Sequence, residues 1–392
     1  MSELRRIVVA GASLAGLRAV QTLREEGYTG EIRLVGAESH APYNRPPLSK
    51  AMLRGDEDIA LPGAGELGEE WLRGRQAVRL DAGGRVVALD DGTELPYDGL
   101  VIATGARPRH LPGRPAGVRT LRTVEDSLAL RAALRSGAGR VVVVGGGFIG
   151  GEVATTARGL GLDVTLIDAG PYPMLDVIGE EAARWLAAHH ERHGVELLSG
   201  VRVTGVEGAE EVRALRLDDG REIPASLVVA GLGVEPNTEW LEGSGLTLDD
   251  GVVTTPGLHA VGADGIVAAG DVARWPHELY GGALVRVEHW GNANEQGALA
   301  ARNLLAGPAA ATPYAAVPSF ATHMHGARIQ TAGLPHLADE SRTVAGDPGE
   351  DSFAVAFLRE GVPVGAVAVN APRELIRLKR AIAAARPLEA AA

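Results

Sequence analysis

The pattern that most narrows the folds open to this chain is a strand, a glycine turn and a helix that occur together twice. Ile7-Val8-Val9-Ala10 is a short apolar run of strand type, and Gly11-Ala12-Ser13-Leu14-Ala15-Gly16 is a turn. Leu14, Leu17, Val20 and Leu23 then recur at helical spacing up to Gly27. A second strand over Glu31 to Val35 closes a βαβ unit. The same grammar returns at Arg140: a strand over Val141 to Val144, a turn from Gly145 to Gly150, a helix to about Leu160 and a strand over Val164 to Ile167. The chain therefore carries a degenerate internal duplication of a nucleotide-binding unit.

Between the two copies, Arg85 to Leu89 and Glu94 to Tyr97 are separated by the turn signal Asp90-Asp91-Gly92, and Leu100-Val101-Ile102-Ala103 is a strand of buried type. A similar stretch follows the second copy and ends in the strand Ser226 to Ala230. From Ile266 the chain reads strand, turn and helix once more, with the helix over Asn292 to Leu305. The last ~70 residues form a separate α+β piece. It has strands near Phe353 to Leu358 and Val364 to Val369, a basic helix from Arg373 to about Ala384, and a frayed alanine-rich end over Pro387 to Ala392.

With 392 residues, 45% of them hydrophobic, the chain can bury more than one core. Two or three domains of ~100–200 residues are expected. The formal net charge of −12 argues against a general nucleic-acid surface, which needs clustered Lys and Arg. There is no cysteine, which removes disulfides, thiolate metal sites, protein-ligated iron–sulfur clusters and a redox-active thiol pair. Redox chemistry must then sit on a bound organic cofactor. Met1 to Arg6 leads into the first strand without a signal-peptide h-region, and no segment reaches the ~18 apolar residues of a membrane span. A cytoplasmic protein with no membrane partner is expected.

In the first turn Gly11 allows the tight bend, the middle position lets the backbone approach a pyrophosphate, and Gly16 permits close helix–sheet packing. Leu14 and Ala15 open the helix, whose N-terminal N–H groups favour an anion. The middle position is Ser13, a departure that stays small and offers a hydroxyl. Glu38, past the second strand, stands where an acidic residue accepts hydrogen bonds from an adenosine ribose; a surface glutamate is the alternative. The second turn, Gly145-Gly146-Gly147-Phe148-Ile149-Gly150, satisfies the full dinucleotide fingerprint between a four-valine strand and a helix. Asp168 ends the following strand, near the ~20-residue spacing of a ribose-binding acid. A carboxylate there accepts from a 2′-hydroxyl and repels a 2′-phosphate, and Ala169-Gly170-Pro171 offers no arginine to receive one. NADH is expected over NADPH, with a solvated aspartate as the alternative reading.

Pro42-Tyr43-Asn44-Arg45-Pro46-Pro47-Leu48-Ser49-Lys50 comes first in an ordered set. Ala103-Thr104-Gly105, Gly145 to Glu152, Gly233-Val234-Glu235-Pro236-Asn237, Ala269-Gly270-Asp271-Val272-Ala273 and Glu288-His289-Trp290 follow it. Through these the chain resembles the ferredoxin and rubredoxin reductases that serve bacterial cytochromes P450 and Rieske oxygenases. The resemblance implies an α/β fold of two nested Rossmann-like dinucleotide-binding domains of three-layer ββα type, plus a small α+β C-terminal domain. FAD would belong to 1–112 with 242–318, NAD to 113–241, and 319–392 would form the C-terminal domain. It implies FAD and NADH as cofactors, Arg45 and Lys50 at the flavin and its phosphates, and Val78 by the adenine. Ala103, Thr104 and Gly105 would form a cofactor-facing turn, and Gly270 and Asp271 would meet the ribitol or pyrophosphate. The backbone around Glu288, His289 and Trp290 would face the flavin pyrimidine edge. Glu152 is implied near flavin and nicotinamide, paired with Lys50, and Gly233 on the nicotinamide side; Lys50, Glu152 and Glu288 are expected to bear on catalysis. A cation beside the flavin stabilises the anionic reduced ring. The plainer readings are a solvated lysine, an ordinary strand end at Gly105 and a helix-surface ion pair at Glu152.

The reaction so implied is hydride transfer from nicotinamide C4 to flavin N5, followed by single-electron delivery to a ferredoxin or rubredoxin. No side chain acts as acid or base on a carbon substrate. One departure bears on the partner: the resembled family has a Phe-Trp pair after Val-Pro, whereas Val317-Pro318-Ser319-Phe320 is followed here by Ala321. The opened space admits a second class, a direct NADH oxidase or reductase of quinones or small organics. A third is an NADH-sensing flavoprotein of the apoptosis-inducing type. His323-Met324-His325 invites a metal reading, because residues two apart share a strand face, but no third ligand is suggested. No metal is expected, and these histidines are expected to line the flavin cavity or a polar surface. Arg302, Arg377, Lys379 and Arg380 are candidates for a basic patch that docks an acidic iron–sulfur protein, against a solvated helix face.

Overall fold

The apolar runs that flank each glycine turn become neighbouring strands of a parallel sheet. The computed structural model describes residues 4–55, 57–66, 71–113, 115–137 and 139–388; the end of the alanine-rich tail, from 389, lies outside them. Its helices are α1 (Leu14–Glu25), α2 (Ala51–Arg54), α3 (Val124–Arg135), α4 (Phe148–Gly159), α5 (Leu175–Arg192), α6 (Trp290–Ala306) and α7 (Pro372–Ala384). None of these is long and apolar enough to cross a membrane. The chain divides into two units, the first comprising Met1–Asn44, Ile59–Arg107 and Glu235–Pro318, the second Arg45–Asp58, Pro108–Val234 and Ser319–Ala392.

In the first unit the sheet runs, edge to edge, Ile266–Ala268, Gly99–Ile102, Arg6–Ala10, Glu31–Gly36 and Trp71–Arg73, all parallel. Both faces are covered, so burial is unbroken from Ile7 to Ala10. Alternate side chains serve two layers. Val8, Ala10, Leu100, Ile102 and Ala268 pack with Leu80, Val87 and Tyr97 of an antiparallel layer formed by Ala77–Asp81, Val86–Leu89 and Glu94–Pro96. Helices α1 and α6 lie on the other face. There the backbones meet so closely that a Cβ on Gly297 would stand 2.3 Å from the Ala15 carbonyl oxygen. Strands Arg6–Ala10 and Gly99–Ile102 are neighbours from which the chain proceeds in opposite directions across the sheet. Their carboxyl ends thus form a topological switch point, where open α/β sheets leave a crevice for ligands.

The second unit repeats the plan. Val195–Ser199, Asp163–Asp168, Arg140–Val144, Leu227–Ala230 and Val118–Arg119 form its parallel sheet. An antiparallel layer of Val203–Glu207, Ala214–Leu217 and Glu222–Pro224 packs Leu215 and Leu217 on Val142, Val144 and Val228. The C-terminal region adds an antiparallel sheet in the order Ser319–Met324, Ala327–Gly333, Val362–Val369, Phe353–Arg359, Glu340–Gly346. Helix α5 packs Ile178, Ala182 and Trp185 on Ile329, Phe353, Val355 and Val367, and α7 buries Leu375, Leu378 and Ile382 on the same sheet. The fold is α/β, two strand–glycine turn–helix units on parallel sheets with a C-terminal sheet and helix.

His323 and His325 do not share a strand face. The strand ends at Met324, and His325 enters the reversing turn with φ +48°. His323 is exposed, while His325 joins three histidines at the end of α5. His190 Nδ1 lies 2.9 Å from His325 Nε2, and the His193 ring stacks on His325 at 4.7 Å between centroids. His189 Nε2 donates to the Met324 carbonyl, Arg192 bridges His189 and Asp351, and Arg158 reaches the His193 carbonyl. Among the described residues no group of His, Asp or Glu is arranged to hold a metal ion.

Burial, then the neighbouring rings, pushes His190 down to about 3 and His325 down to about 4, and His189 is lowered by burial as well. Below pH 6.5 the unfolded chain takes up protons that these folded rings refuse. Stability is therefore complete above that pH and is lost as pH falls toward 4. For His190 alone the loss at pH 5 is about 2 kcal/mol. Thermal unfolding followed from pH 8 to 5 is expected to show a steep fall in Tm that His190→Asn flattens; equal slopes would refute the assignment.

Candidate dinucleotide site

Gly11 leaves the sheet with φ +115°, and a Cβ there would stand 2.1 Å from the Ala103 carbonyl oxygen. One turn of helix later, a Cβ on Gly16 would stand 1.8 Å from the Gly11 carbonyl oxygen. These two glycines press the turn onto the end of the neighbouring strand, leaving no room for any side chain. Ser13 is the N-cap of α1 in extended geometry, and its side chain makes no capping bond. With no acidic residue in the first turn either, the N–H groups of that turn, at Leu14, Ala15 and Gly16, are arranged for an external anion.

The surroundings of this turn are held by bonds that its sequence motif does not contain. Thr104 Oγ1 donates to the Asn237 carbonyl, Asn237 Nδ2 donates back to the Thr104 carbonyl, and the Asn237 N–H donates to Gly105, which turns with φ +65°. Tyr43 donates to Glu38 at 2.5 Å, fixing the carboxylate beyond the strand Glu31–Gly36. Gly270, at φ +77°, donates its N–H to Gln296 Oε1 at 2.9 Å. That bond fixes the amide's orientation, so the fully buried Nε2 of Gln296 is a donor with no partner among the described residues. Trp71 Nε1 is a second such donor, 3.1 Å from where a Cβ on Gly36 would stand. The features that suit an oxygen-rich anion are the uncapped N–H groups that open α1 and the two glycines that let the backbone close on the strand end. The residues present therefore fit a dinucleotide.

Around the rest of the first-unit site, Arg286 donates to Glu288 at 2.5 Å, to Asp250 and to the Asp271 carbonyl. Glu288 is thus tied into the wall of the Gly270-Asp271 turn. His289 caps α6 in extended geometry, and burial pushes its imidazole down to about 4. It is neutral at physiological pH. Trp290, the first residue of α6, is 46% exposed, and Val78 is 47% exposed.

The second turn repeats the geometry. Gly145 has φ +98°, a Cβ on it would stand 2.3 Å from the Gly231 carbonyl oxygen, and a Cβ on Gly150 would stand 1.9 Å from that of Gly145. Gly147 caps α4 without a side chain, and Phe148 and Ile149 open the helix. Asp168 accepts from the Gly146 N–H at 2.6 Å and from the Gly170 N–H at 2.8 Å, so both carboxylate oxygens are oriented by backbone. Gly233 turns with φ +80°, its carbonyl accepting from the Arg109 N–H. In the same unit, Lys50 Nζ lies 2.6 Å from Glu152 Oε2, and the Ser49 hydroxyl donates to the same oxygen. The Arg45 guanidinium donates to the Arg122 carbonyl at 2.6 Å.

The model of the pyridine nucleotide-disulphide oxidoreductases matches residues 5–297, which span both turns, and a reductase C-terminal model matches 320–392. The chain belongs to the pyridine nucleotide-disulphide oxidoreductase family. It is 38% identical over 387 residues to the ferredoxin–NAD(+) reductase component of the p-cumate 2,3-dioxygenase system of Pseudomonas putida, covering 96% of this chain and 93% of that one. Among solved structures it is similar to the ferredoxin reductase for the CYP199A2 system of Rhodopseudomonas palustris, with a TM-score of 0.91, 31% identity and coverage of 98% and 96%. The covalent putidaredoxin reductase–putidaredoxin complex matches with a TM-score of 0.91 and 32% identity over 98% of this chain and 94% of that one.

Within the family this member has no thiol pair, since it has no cysteine at all. Asn237 and Gln296 brace the first-unit turns, and Ser49 braces the Lys50–Glu152 pair of the second unit, yet none was singled out from the sequence. Asn237 lay inside a recognised motif, but only the fold brings it to Thr104. Gln296 carries no local signal beyond its place on an amphipathic helix.

Proposed function

We propose that the protein is an FAD-dependent NADH:ferredoxin reductase that supplies electrons to an oxygenase. One observation carries this: two glycine turns whose first and last glycines leave no room for a Cβ, each at the carboxyl end of its own parallel sheet, in a chain without cysteine. FAD, when bound, supplies the ring that accepts hydride from NADH and releases the electrons singly to an iron–sulfur protein. The chain's own residues bind and orient. On this reading the first unit holds FAD, with Gly11, Ser13, Leu14, Ala15 and Gly16 at the pyrophosphate, Glu38 at the ribose, and Val78 by the adenine. Thr104 and its neighbours, the Gly270-Asp271 turn and the Glu288–Trp290 segment lie along the rest. In the second unit, Gly145 to Gly150 and Asp168 hold NADH, with Gly233 alongside, while Arg45 and the Lys50–Glu152 pair stand at the flavin. The FAD part is assigned to 1–112 with 242–318, the NAD part to 113–241, and the protein to the cytoplasm.

A partner face is offered by α7. Arg373, Ile376, Arg377 and Arg380 are exposed on one side of it, with Ile376 55% exposed among the arginines and Arg377 paired with Glu374. An apolar centre ringed by cations suits an acidic protein. Lys379 instead turns to the Ser319 hydroxyl, and Arg302 of α6 pairs with Glu26.

The test is anaerobic titration with NADH and NADPH, followed by cytochrome c reduction with and without added [2Fe-2S] ferredoxins. Strong stimulation by a ferredoxin is expected. Replacing Arg373 and Arg380 together by glutamate is expected to lower that rate roughly tenfold at low salt, leaving NADH-dependent ferricyanide reduction unchanged. Ala321 is exposed where the related reductases were expected to carry an aromatic residue, which favours a second reading as a direct NADH oxidase or quinone reductase. Rapid NADH consumption with oxygen or a quinone, indifferent to ferredoxin, would select it.

A further inference from the structure

We infer that Thr322, on the first strand of the C-terminal sheet, is a positioning residue that sets the Lys50–Glu152 pair and through it the behaviour of the flavin. The inference rests on the reading above that this pair stands at the flavin.

Glu152 lies on α4 just past the glycine turn, and its side chain is 4% exposed. A carboxylate so enclosed needs donors on both oxygens. Oε2 has Lys50 Nζ and the Ser49 hydroxyl, both from a segment that is itself anchored. Thr156 donates to the Ser49 carbonyl at 3.0 Å and Ser127 to the Leu48 carbonyl at 2.7 Å. Oε1 has Thr322 Oγ1 at 2.5 Å. The strand Ser319–Met324 lies along the start of α4 through alternate residues. Phe320 meets the Phe148 ring at 3.7 Å between centroids, Thr322 meets Glu152, and Met324 sits where a Cβ on Gly151 would come within 2.7 Å of its methyl carbon. Two of these inward side chains are apolar. The third is a hydroxyl, 1% exposed, at a position where valine has the same shape and a higher strand preference. A buried hydroxyl is costly unless it is bonded, and its bond runs to the carboxylate.

Thr322 therefore restrains Glu152 from the side opposite Lys50. Without it the carboxylate loses the donor that fixes its plane, and the ammonium that follows the carboxylate is no longer held in one place. A purely structural contact would instead show only as lost stability.

The experiment compares holoproteins of Thr322→Val, Thr322→Ala, Thr322→Ser, Glu152→Gln and the Thr322→Val/Glu152→Gln double variant. FAD content, Tm, the flavin midpoint potential, the rate of flavin reduction by NADH in anaerobic stopped flow and the Kd for NADH are measured. Thr322→Val and Thr322→Ala are expected to keep FAD and to bind NADH within about twofold. Their reduction rate should fall about tenfold, the change in one charge-assisted hydrogen bond. The midpoint potential should become more negative, Thr322→Ser should restore both, and the double variant should be no slower than Glu152→Gln. Additive losses, no rescue by serine, or an unmoved potential and rate in Thr322→Val alongside changes in Glu152→Gln would overturn the inference and leave the Lys50–Glu152 reading standing. Were Glu152→Gln itself silent in both readouts, that reading would fall and the inference with it.

Discussion

Gly11→Ala is expected to be purified without flavin, colourless and unable to take up added FAD with less than a 100-fold loss in affinity. The residue bends at φ +115°, outside the region open to side chains, and its Cβ would overlap the Ala103 carbonyl. Relief requires the turn to leave the end of strand Gly99–Ile102, which withdraws the helix N-terminus from the pyrophosphate. The two costs together are about 2–5 kcal/mol, enough for the stated loss. The second turn provides the contrast. Gly150→Ala creates an equal overlap, 1.9 Å from the Gly145 carbonyl oxygen, in the other unit. It should stay yellow and fail to be reduced by NADH, while dithionite still reduces it. Gly159→Ala, in the last turn of the same helix with no atom within 4 Å of its Cβ, is the control and should bind both cofactors. Retention of full flavin in Gly11→Ala would refute the assignment of FAD to the first turn.

The parts of this protein that were legible in its sequence share a physical character. Buried parallel strands need unbroken apolar runs, and the turns after them need glycine where backbones touch. Ile7–Ala10 and Val141–Val144 could therefore be placed to within a residue. The C-terminal sheet was half read: the apolar strands Phe353–Arg359 and Val362–Val369 stand out, whereas Glu340–Gly346 is an edge strand with exposed polar residues and carries no such pattern. Helix α5 was missed because Gly179 interrupts it at φ +74°, where the Phe357 ring occupies the place of a side chain. His325 was misplaced because period-two reasoning carried the strand one residue past its end. At the site, the residue types that the proposal sets against phosphate or ribose announce themselves by spacing from a glycine turn. Residues that brace those groups do not, because Asn237 reaches Thr104 and Thr322 reaches Glu152 only through tertiary folding.

Coenzyme choice gives the second large effect. Asp168 uses one oxygen on Gly146, inside the glycine turn, and the other on Gly170, inside the loop that follows its strand. The carboxylate thus joins the two segments that border the adenosine ribose on the proposed reading, and each oxygen keeps a lone pair for a ribose hydroxyl. In Asp168→Asn one oxygen becomes an amide nitrogen, which meets a backbone N–H donor to donor. That loss of a charge-assisted hydrogen bond, about 1.5–3 kcal/mol, should raise the Kd for NADH roughly 10- to 100-fold. On the proposed reading the native carboxylate repels the 2′-phosphate of NADPH, so its binding should fall far less or improve, and the preference for NADH should shrink by a similar factor. Flavin content should not change, because this carboxylate and the first turn belong to different units. Titration of the oxidised holoprotein with both nucleotides, in wild type and variant, reads all three quantities. Equal discrimination before and after the substitution would move coenzyme selection away from Asp168, to whatever else borders the loop Ala169-Gly170-Pro171.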